Sequence, residues 1–222
     1  MGDTIIFKRP DGKDCSGHQV APARGNGVPG VVVIQEWWGL NDQIKGVAAW
    51  LAEAGYRVLV PDLYRGKVTV EAAEAAHLMG GLDFGDAATQ DIRGAVQKLK
   101  GASPKVGVMG FCMGGALSIL AAVHVREADV VVCWYGVPPA SAADVRTIKA
   151  PLQGHFALED EFFPPAHVDE LEKRLREGHV KYEFYRYKAK HAFGNETSAN
   201  YNPEAAQLAW QRTLDFLARH LR

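Results

Sequence analysis

Apolar positions along this chain fall into short runs separated by stripes at helical spacing. Val31-Val-Val-Ile-Gln35 is a continuous, largely β-branched run, which marks a strand buried on both faces. Residues 56–60 read as a second such strand. Further strands are predicted from Lys105 toward residue 111 and over 129–134, 151–156 and 180–187, the last with alternating polarity. Residues 4–8 and 16–21 read as two short strands joined at Pro10-Asp-Gly12, forming an antiparallel edge. Between the strands lie helical stripes. Asn41 is placed to cap a helix in which Ile44, Val47, Ala48 and Leu51 recur on one side and which Gly55 ends. Helices are also predicted over 69–79, 86–100, 113–126, 165–176 and 203–220, with Pro203 suited to a first turn.

Alternation of strands and helices predicts an α/β fold: a doubly wound, mostly parallel sheet with helices on both faces. No repeat, low-complexity tract or shift of composition divides the chain, so residues 1–222 read as one domain. Ligands in such sheets bind beyond the carboxyl ends of the strands. The loops to search for chemistry therefore start at Glu36, Pro61, Gly110, Trp134, Ala157 and Lys188.

Charge narrows the classes. Lysine plus arginine number 25 and aspartate plus glutamate 26, so no basic field points to nucleic acid. No apolar run approaches the roughly 18 residues that span a membrane. Residues 1–9 lack the basic and apolar segments of a secretory signal, and residues 23–30 form a loop rich in glycine and proline. The cysteines, 15, 112 and 133, are scattered and show no metal spacing. These features fit a cytoplasmic protein that acts on a small molecule, with no cofactor, nucleic acid or membrane partner. Monomer and dimer stay open.

The most informative stretch is Gly110-Phe-Cys112-Met-Gly114-Gly115, an apolar strand running into a glycine-flanked cysteine and then a helix. It has the spacing of the G-x-S-x-G nucleophile elbow, with a thiol in place of the hydroxyl. Unpaired N–H groups at the helix start favour a thiolate. The competing reading is a buried cysteine in a tight turn. A cysteine nucleophile needs a base, and the base an orienting group. His191 follows the last strand and precedes the closing helix. Asp160, flanked by Glu159 and Glu161, follows the strand before. Asp129 and Asp144 are alternative acids at another strand's ends. The order Cys112, Asp160, His191 matches the nucleophile, acid, histidine order of α/β-hydrolases.

These residues, together with Gln35-Glu-Trp-Trp-Gly-Leu40, Gly55-Tyr56, Pro61-Asp-Leu-Tyr64, Tyr135-Gly136, Gly154-His-Phe156 and Arg212-Thr-Leu-Asp-Phe216, resemble the dienelactone hydrolase family over almost the whole chain. The resemblance implies an α/β-hydrolase fold and a Cys112–Asp160–His191 triad, choosing Asp160 among the acids. It also implies that Glu36 contacts the resting nucleophile and moves aside when substrate binds. A carboxylate there raises the thiol pKa. The expected reaction is acyl transfer from a small lactone or ester, with the oxyanion held by the backbone N–H groups of Trp37 and Met113.

Trp37, Trp38, Tyr64, Met79, Trp134, Tyr135 and Phe193 are candidates to line an apolar pocket, though each type is also common in cores. Family members acting on carboxylated butenolides carry an arginine four residues after the histidine, where this chain has Asn195, and another after the Tyr64 region. Arg65 and His77 are the candidate substitutes. Carboxymethylenebutenolide is therefore no more expected than another small ester, lactone or thioester. Two rival classes are a non-catalytic ligand-binding protein of the same fold, and a cysteine peptidase or amidase. A whole triad disfavours the first; the lack of a long insertion to build a peptide groove disfavours the second.

Overall fold

A computed structural model describes residues 2–23 and 27–222; Met1 and residues 24–26, which belong to the N-terminal segment and the loop read above, lie outside the described residues. Among the described residues, eight strands form one sheet in the order β1-β2-β4-β3-β5-β6-β7-β8. They are β1 (Asp3–Lys8), β2 (Asp14–Val20), β3 (Gly30–Ile34), β4 (Arg57–Pro61), β5 (Val106–Phe111), β6 (Val130–Trp134), β7 (Leu152–Glu159) and β8 (Tyr182–Lys190). β1 and β2 pair antiparallel with each other, and β2 antiparallel with β4. From β4 to β8 every pairing is parallel.

The central strands alternate between two buried layers, as the period of two requires. Val31, Val33, Val58 and Val60 face one layer, packed against α1 (Asp42–Glu53) and α7 (Pro203–Leu221). Val32, Ile34, Leu59 and Val108 face the other, which holds α4 (Arg93–Lys100), α5 (Met113–His124) and α6 (Pro165–Glu177). Two faces buried over strands with few polar side chains explain the continuous apolar runs. Asn41 caps α1 by accepting from the amide of Ile44 at 3.1 Å, and Gly55, at φ 96°, turns the chain into β4.

Two predicted helices differ in detail. The 69–79 helix starts only at Ala72, as α2 (Ala72–Gly80), because the chain before it is tied to the Glu36 loop. Thr69 N donates to the Trp38 carbonyl at 3.0 Å, and Gly39 bridges to Val68. The 86–100 helix begins earlier, at α3 (Phe84–Asp86), and reaches α4 through a π-helical stretch, Ala87–Ile92. The wider turn brings Asp91 and Ile92 inside together. Asp91 there meets Arg9 and Arg65, which explains a buried carboxylate.

Candidate active site

β5 delivers the chain to Cys112 in a sharp turn, with φ 54° and ψ −117°, and α5 begins at the next residue. A side chain there stands in strained backbone, which persists only where the surroundings fix it. Two glycines make the turn possible by close approach. A Cβ at 110 would overlap the Gly114 carbonyl, and one at 114 would stand 2.5 Å from the carbonyl oxygens of Ile34 and Gln35. The turn is tied to β6 by a 3.0 Å bond from Cys112 N to the Trp134 carbonyl.

The half-buried Cys112 thiol is pushed well up from its ordinary range. Burial is the main cause and the Glu36 carboxylate the second; backbone N–H groups of Met113 and Trp37, which face the sulfur, oppose the shift. Burial and Glu36 thus outweigh the helix start.

At the ends of β7 and β8 stand Asp160 and His191. Asp160 Oδ1 accepts from the amides of Phe162 and Phe163, each at 2.9 Å. Its Oδ2 lies 2.8 Å from His191 Nδ1. The flanking Glu159 and Glu161 are exposed. Asp129 holds Lys100 and the amide of Val106, and Asp144 caps a short turn and pairs with Arg146, so neither meets His191. The His191 ring packs against Phe162 and Tyr135, at 4.9 and 5.3 Å between centroids. Among the described residues no hydrogen bond joins Cys112 to His191, although both line the same cleft.

Glu36 is buried at the floor of this cleft. Tyr135 OH donates to its Oε1 at 3.2 Å, and Asn195 Nδ2 to its Oε2 at 2.8 Å. Burial raises the carboxyl's pKa; the bond from Asn195 and the nearby His191 act the other way. Asn195 is fixed in turn by the amide and hydroxyl of Thr197, at 2.9 and 2.7 Å. The position where the resemblance looks for an arginine thus carries a neutral donor to Glu36.

The cleft encloses about 1190 Å³. Of the residues singled out in the sequence, Trp37, Trp38, Met79 and Asn195 line it. Other candidate pocket residues lie elsewhere. Tyr64 is buried, its hydroxyl 3.2 Å from Met113 Sδ, behind the wall rather than in it. Tyr135, Phe193 and Trp134 are fully buried in the layer packed against α7: Trp134 shares the parity of Val130 and Val132, and the φ of 39° at Tyr135 breaks the alternation that would send it to the other layer. Arg65 is committed to Asp91 through two 2.9 Å bonds, and His77 is exposed on α2 outside the lining. Neither stands in for the missing arginine.

Sequence reasoning passed over the contribution of α6. His167, Glu170, Leu171 and Arg174 line the cleft at the i, i+3, i+4, i+7 spacing of one helix face. That spacing was readable, but nothing local tells a cleft-facing stripe from a solvated one. Among the described residues, no cluster of histidine, cysteine, aspartate and glutamate has the arrangement to hold a metal ion, and no helix is long and apolar enough to cross a membrane.

The model of the dienelactone hydrolase family matches residues 17–221. Protein usf of Aquifex pyrophilus is 33% identical over 233 residues, covering 100% of both chains. A Methylorubrum extorquens protein, provisionally named a carboxymethylenebutenolidase, is 30% identical over 227 residues, covering 91% of this chain and 76% of its own. A crystal structure from Klebsiella pneumoniae, provisionally named a dienelactone hydrolase, superimposes with a TM-score of 0.88 at 24% identity, covering 99% of this chain and 100% of that one. That likeness shows the α/β-hydrolase fold.

Proposed function

Because the chain belongs to the dienelactone hydrolase family, a family of ester and lactone hydrolases, we propose that it cleaves a small ester or lactone by acyl transfer to Cys112. His191 serves as base and then acid, and Asp160 fixes its tautomer. One observation carries the reading. A strained cysteine at a helix start and a histidine held 2.8 Å from a buried aspartate open on the same cleft.

In the resting enzyme the sulfur faces the amides of Met113 and Trp37, the two donors suited to an oxyanion. Its proton is retained, because burial and Glu36 both disfavour a thiolate. A substrate carbonyl that takes those two amides displaces the sulfur toward His191. The thiol proton passes to His191 Nε2, and the sulfur forms a bond to the carbonyl carbon while the carbonyl π pair moves to oxygen. Collapse of this oxyanion expels the alkoxide, which takes the proton from His191. Water then attacks the thioester, giving its proton to His191, and the departing thiolate recovers it. Glu36 acts on the resting thiol alone, so its carboxylate must be neutralised or turned aside as the thiolate forms.

Comparison of wild type with Cys112→Ala and Cys112→Ser on p-nitrophenyl esters tests the assignment. Both variants are expected to lose at least about a thousandfold in kcat/KM. Serine fits the turn, but its hydroxyl needs full removal of a less acidic proton. Retention of wild-type rates by Cys112→Ala would overturn the proposal. Peptide amides, included alongside, are expected to turn over far more slowly than esters.

A further inference from the structure

The two flanks of the cleft differ in chemistry. On the flank of α5, one and two turns beyond the nucleophile, stand Ala116 and Leu120. Facing them are Val137 and Pro138 of the loop after β6 and Leu171 of α6. Pro138 lacks an amide donor, so the loop side of this wall offers little to a polar group; the polar side chains of the wall are His167, Glu170 and Arg174 of α6. The other flank is the turn after His191, which brings Asn195, Thr197 and Ser198 to the cleft. At the mouth, Val70 and Phe162 are 86% and 62% exposed, an unusual position for apolar side chains that line a site.

Charge is distributed to match. Among the described residues that line the cleft there is no lysine, and the only arginine is Arg174. Its Nη2 is engaged by the Ala143 carbonyl at 2.9 Å, and Glu170 lies one turn before it on the same helix. Close to Cys112 the acidic group is Glu36, which raises the thiol's pKa. A substrate carboxylate next to the scissile carbonyl would meet Glu36 and no arginine.

We infer that the acyl half of the substrate is uncharged and apolar, and lies along α5 between Ala116, Leu120 and Leu171. The inference rests on the acyl-transfer reading above and names its substrate class. The direction follows from proton delivery. His191 must protonate the leaving oxygen, so the alcohol half lies on the side of His191 and the turn that follows it. The acyl half then takes the opposite flank. Met113 to Leu120 covers ~10 Å of helix, room for a straight chain of roughly six carbons.

The test measures kcat/KM for p-nitrophenyl acetate, butanoate and hexanoate, and for the mono-p-nitrophenyl ester of glutaric acid. Each buried methylene is worth about fourfold at most, so a rise of at least about tenfold from acetate to hexanoate is expected. The carboxylated ester is expected to fall at least about tenfold below butanoate. In Ala116→Leu, and in Val137→Phe on a half-exposed loop position, the hexanoate-to-acetate ratio is expected to drop about tenfold. A flat or falling series, or preference for the glutarate ester, would overturn the inference while leaving Cys112-dependent hydrolysis intact. A second arm does not depend on turnover. Hexanamide is expected to raise the Tm of Cys112→Ala protein more than acetamide or succinamate does. Hydrolysis that persists in Cys112→Ala defeats the acyl-transfer reading instead, and this binding arm then decides the pocket: equal shifts for all three amides overturn it.

Discussion

Asp160→Asn is a perturbation whose outcome can be worked from the hydrogen bonds. Asp160 Oδ1 accepts two amides at 2.9 Å, from Phe162 and Phe163, and Oδ2 faces His191 Nδ1 at 2.8 Å. In the variant the two amides still demand an oxygen. Turning the NH2 group toward them would sacrifice two hydrogen bonds, each worth about 1 kcal/mol net and more when buried. The carboxamide oxygen therefore stays in place, and Nδ2 is aimed at His191. Nδ2 only donates, so Nδ1 must accept, and the ring proton moves to Nε2. A protonated, neutral Nε2 cannot take the thiol proton. In serine hydrolase triads the same exchange costs about 10⁴ in kcat by the same tautomer change. We expect a loss of about 10³ to 10⁴ here, roughly 4 to 5 kcal/mol in the barrier. Folding is retained at a cost of about 1 to 3 kcal/mol, since all three bonds keep a partner but lose the charge of the carboxylate. The assay is kcat/KM for p-nitrophenyl butanoate at neutral pH, with urea unfolding as control. A folded Asp160→Asn protein within tenfold of wild type would refute the argument.

Four further outcomes are expected. Gly110→Ala should destabilise by about 3 kcal/mol or more, read by urea unfolding, because its Cβ meets backbone rather than a movable side chain; full stability would show that the turn can open. Glu36→Gln should speed alkylation of Cys112 by iodoacetamide at pH 8 by about tenfold, since one charge that raises the thiol pKa is gone; an unchanged rate would remove Glu36 from the control of the thiol. The same variant should also flatten one limb of the stability profile. The folded carboxyl has its pKa raised, so Glu36 favours folding most below its unfolded value near ~4.3 and that share is lost as pH rises through the folded value. The gain from Gln is thus larger at pH 8 than at pH 4. His155 carries the opposite sign. It is fully buried between Tyr187 and Gln153, at 2.8 and 2.9 Å, and its pKa is lowered to about 3. Its share of stability is full above the unfolded value near ~6.5 and is lost as pH falls toward 3, with a slope of at most about 1.4 kcal/mol per pH unit. His155→Gln should flatten that limb, and an unaltered slope between pH 6 and 4 would contradict it.

Much of this was legible in the chain. β-branched runs located the buried strands, and the alternation with helical stripes placed the chemistry at their carboxyl ends. Cys112, Asp160 and His191 each sit one residue past an observed strand, although the strands expected over 151–156 and 180–187 stop four residues short of Asp160 and His191; position rather than residue type distinguishes all three. Tyr64, Tyr135 and Phe193 show where such reading stops. An aromatic residue after a strand faces the cleft or the core according to strand parity and a few backbone angles, here including φ 39° at Tyr135. No short window encodes that. The π-helical stretch at Ala87–Ile92 was hidden for a related reason. Its cause is the set of partners that Asp91 finds in Arg9 and Arg65, which are distant in sequence. The α6 face that lines the cleft has an amphipathic pattern no different from that of a solvated helix.

The central claim is that Cys112 carries the acyl group. Acid quench of a p-nitrophenyl hexanoate reaction, followed by peptide mass analysis, tests it directly. The account predicts a hexanoyl adduct on the peptide that contains Cys112, released by hydroxylamine and missing from Cys112→Ala, whose turnover falls at least about a thousandfold. An adduct on another residue, or full turnover by Cys112→Ala, would contradict it.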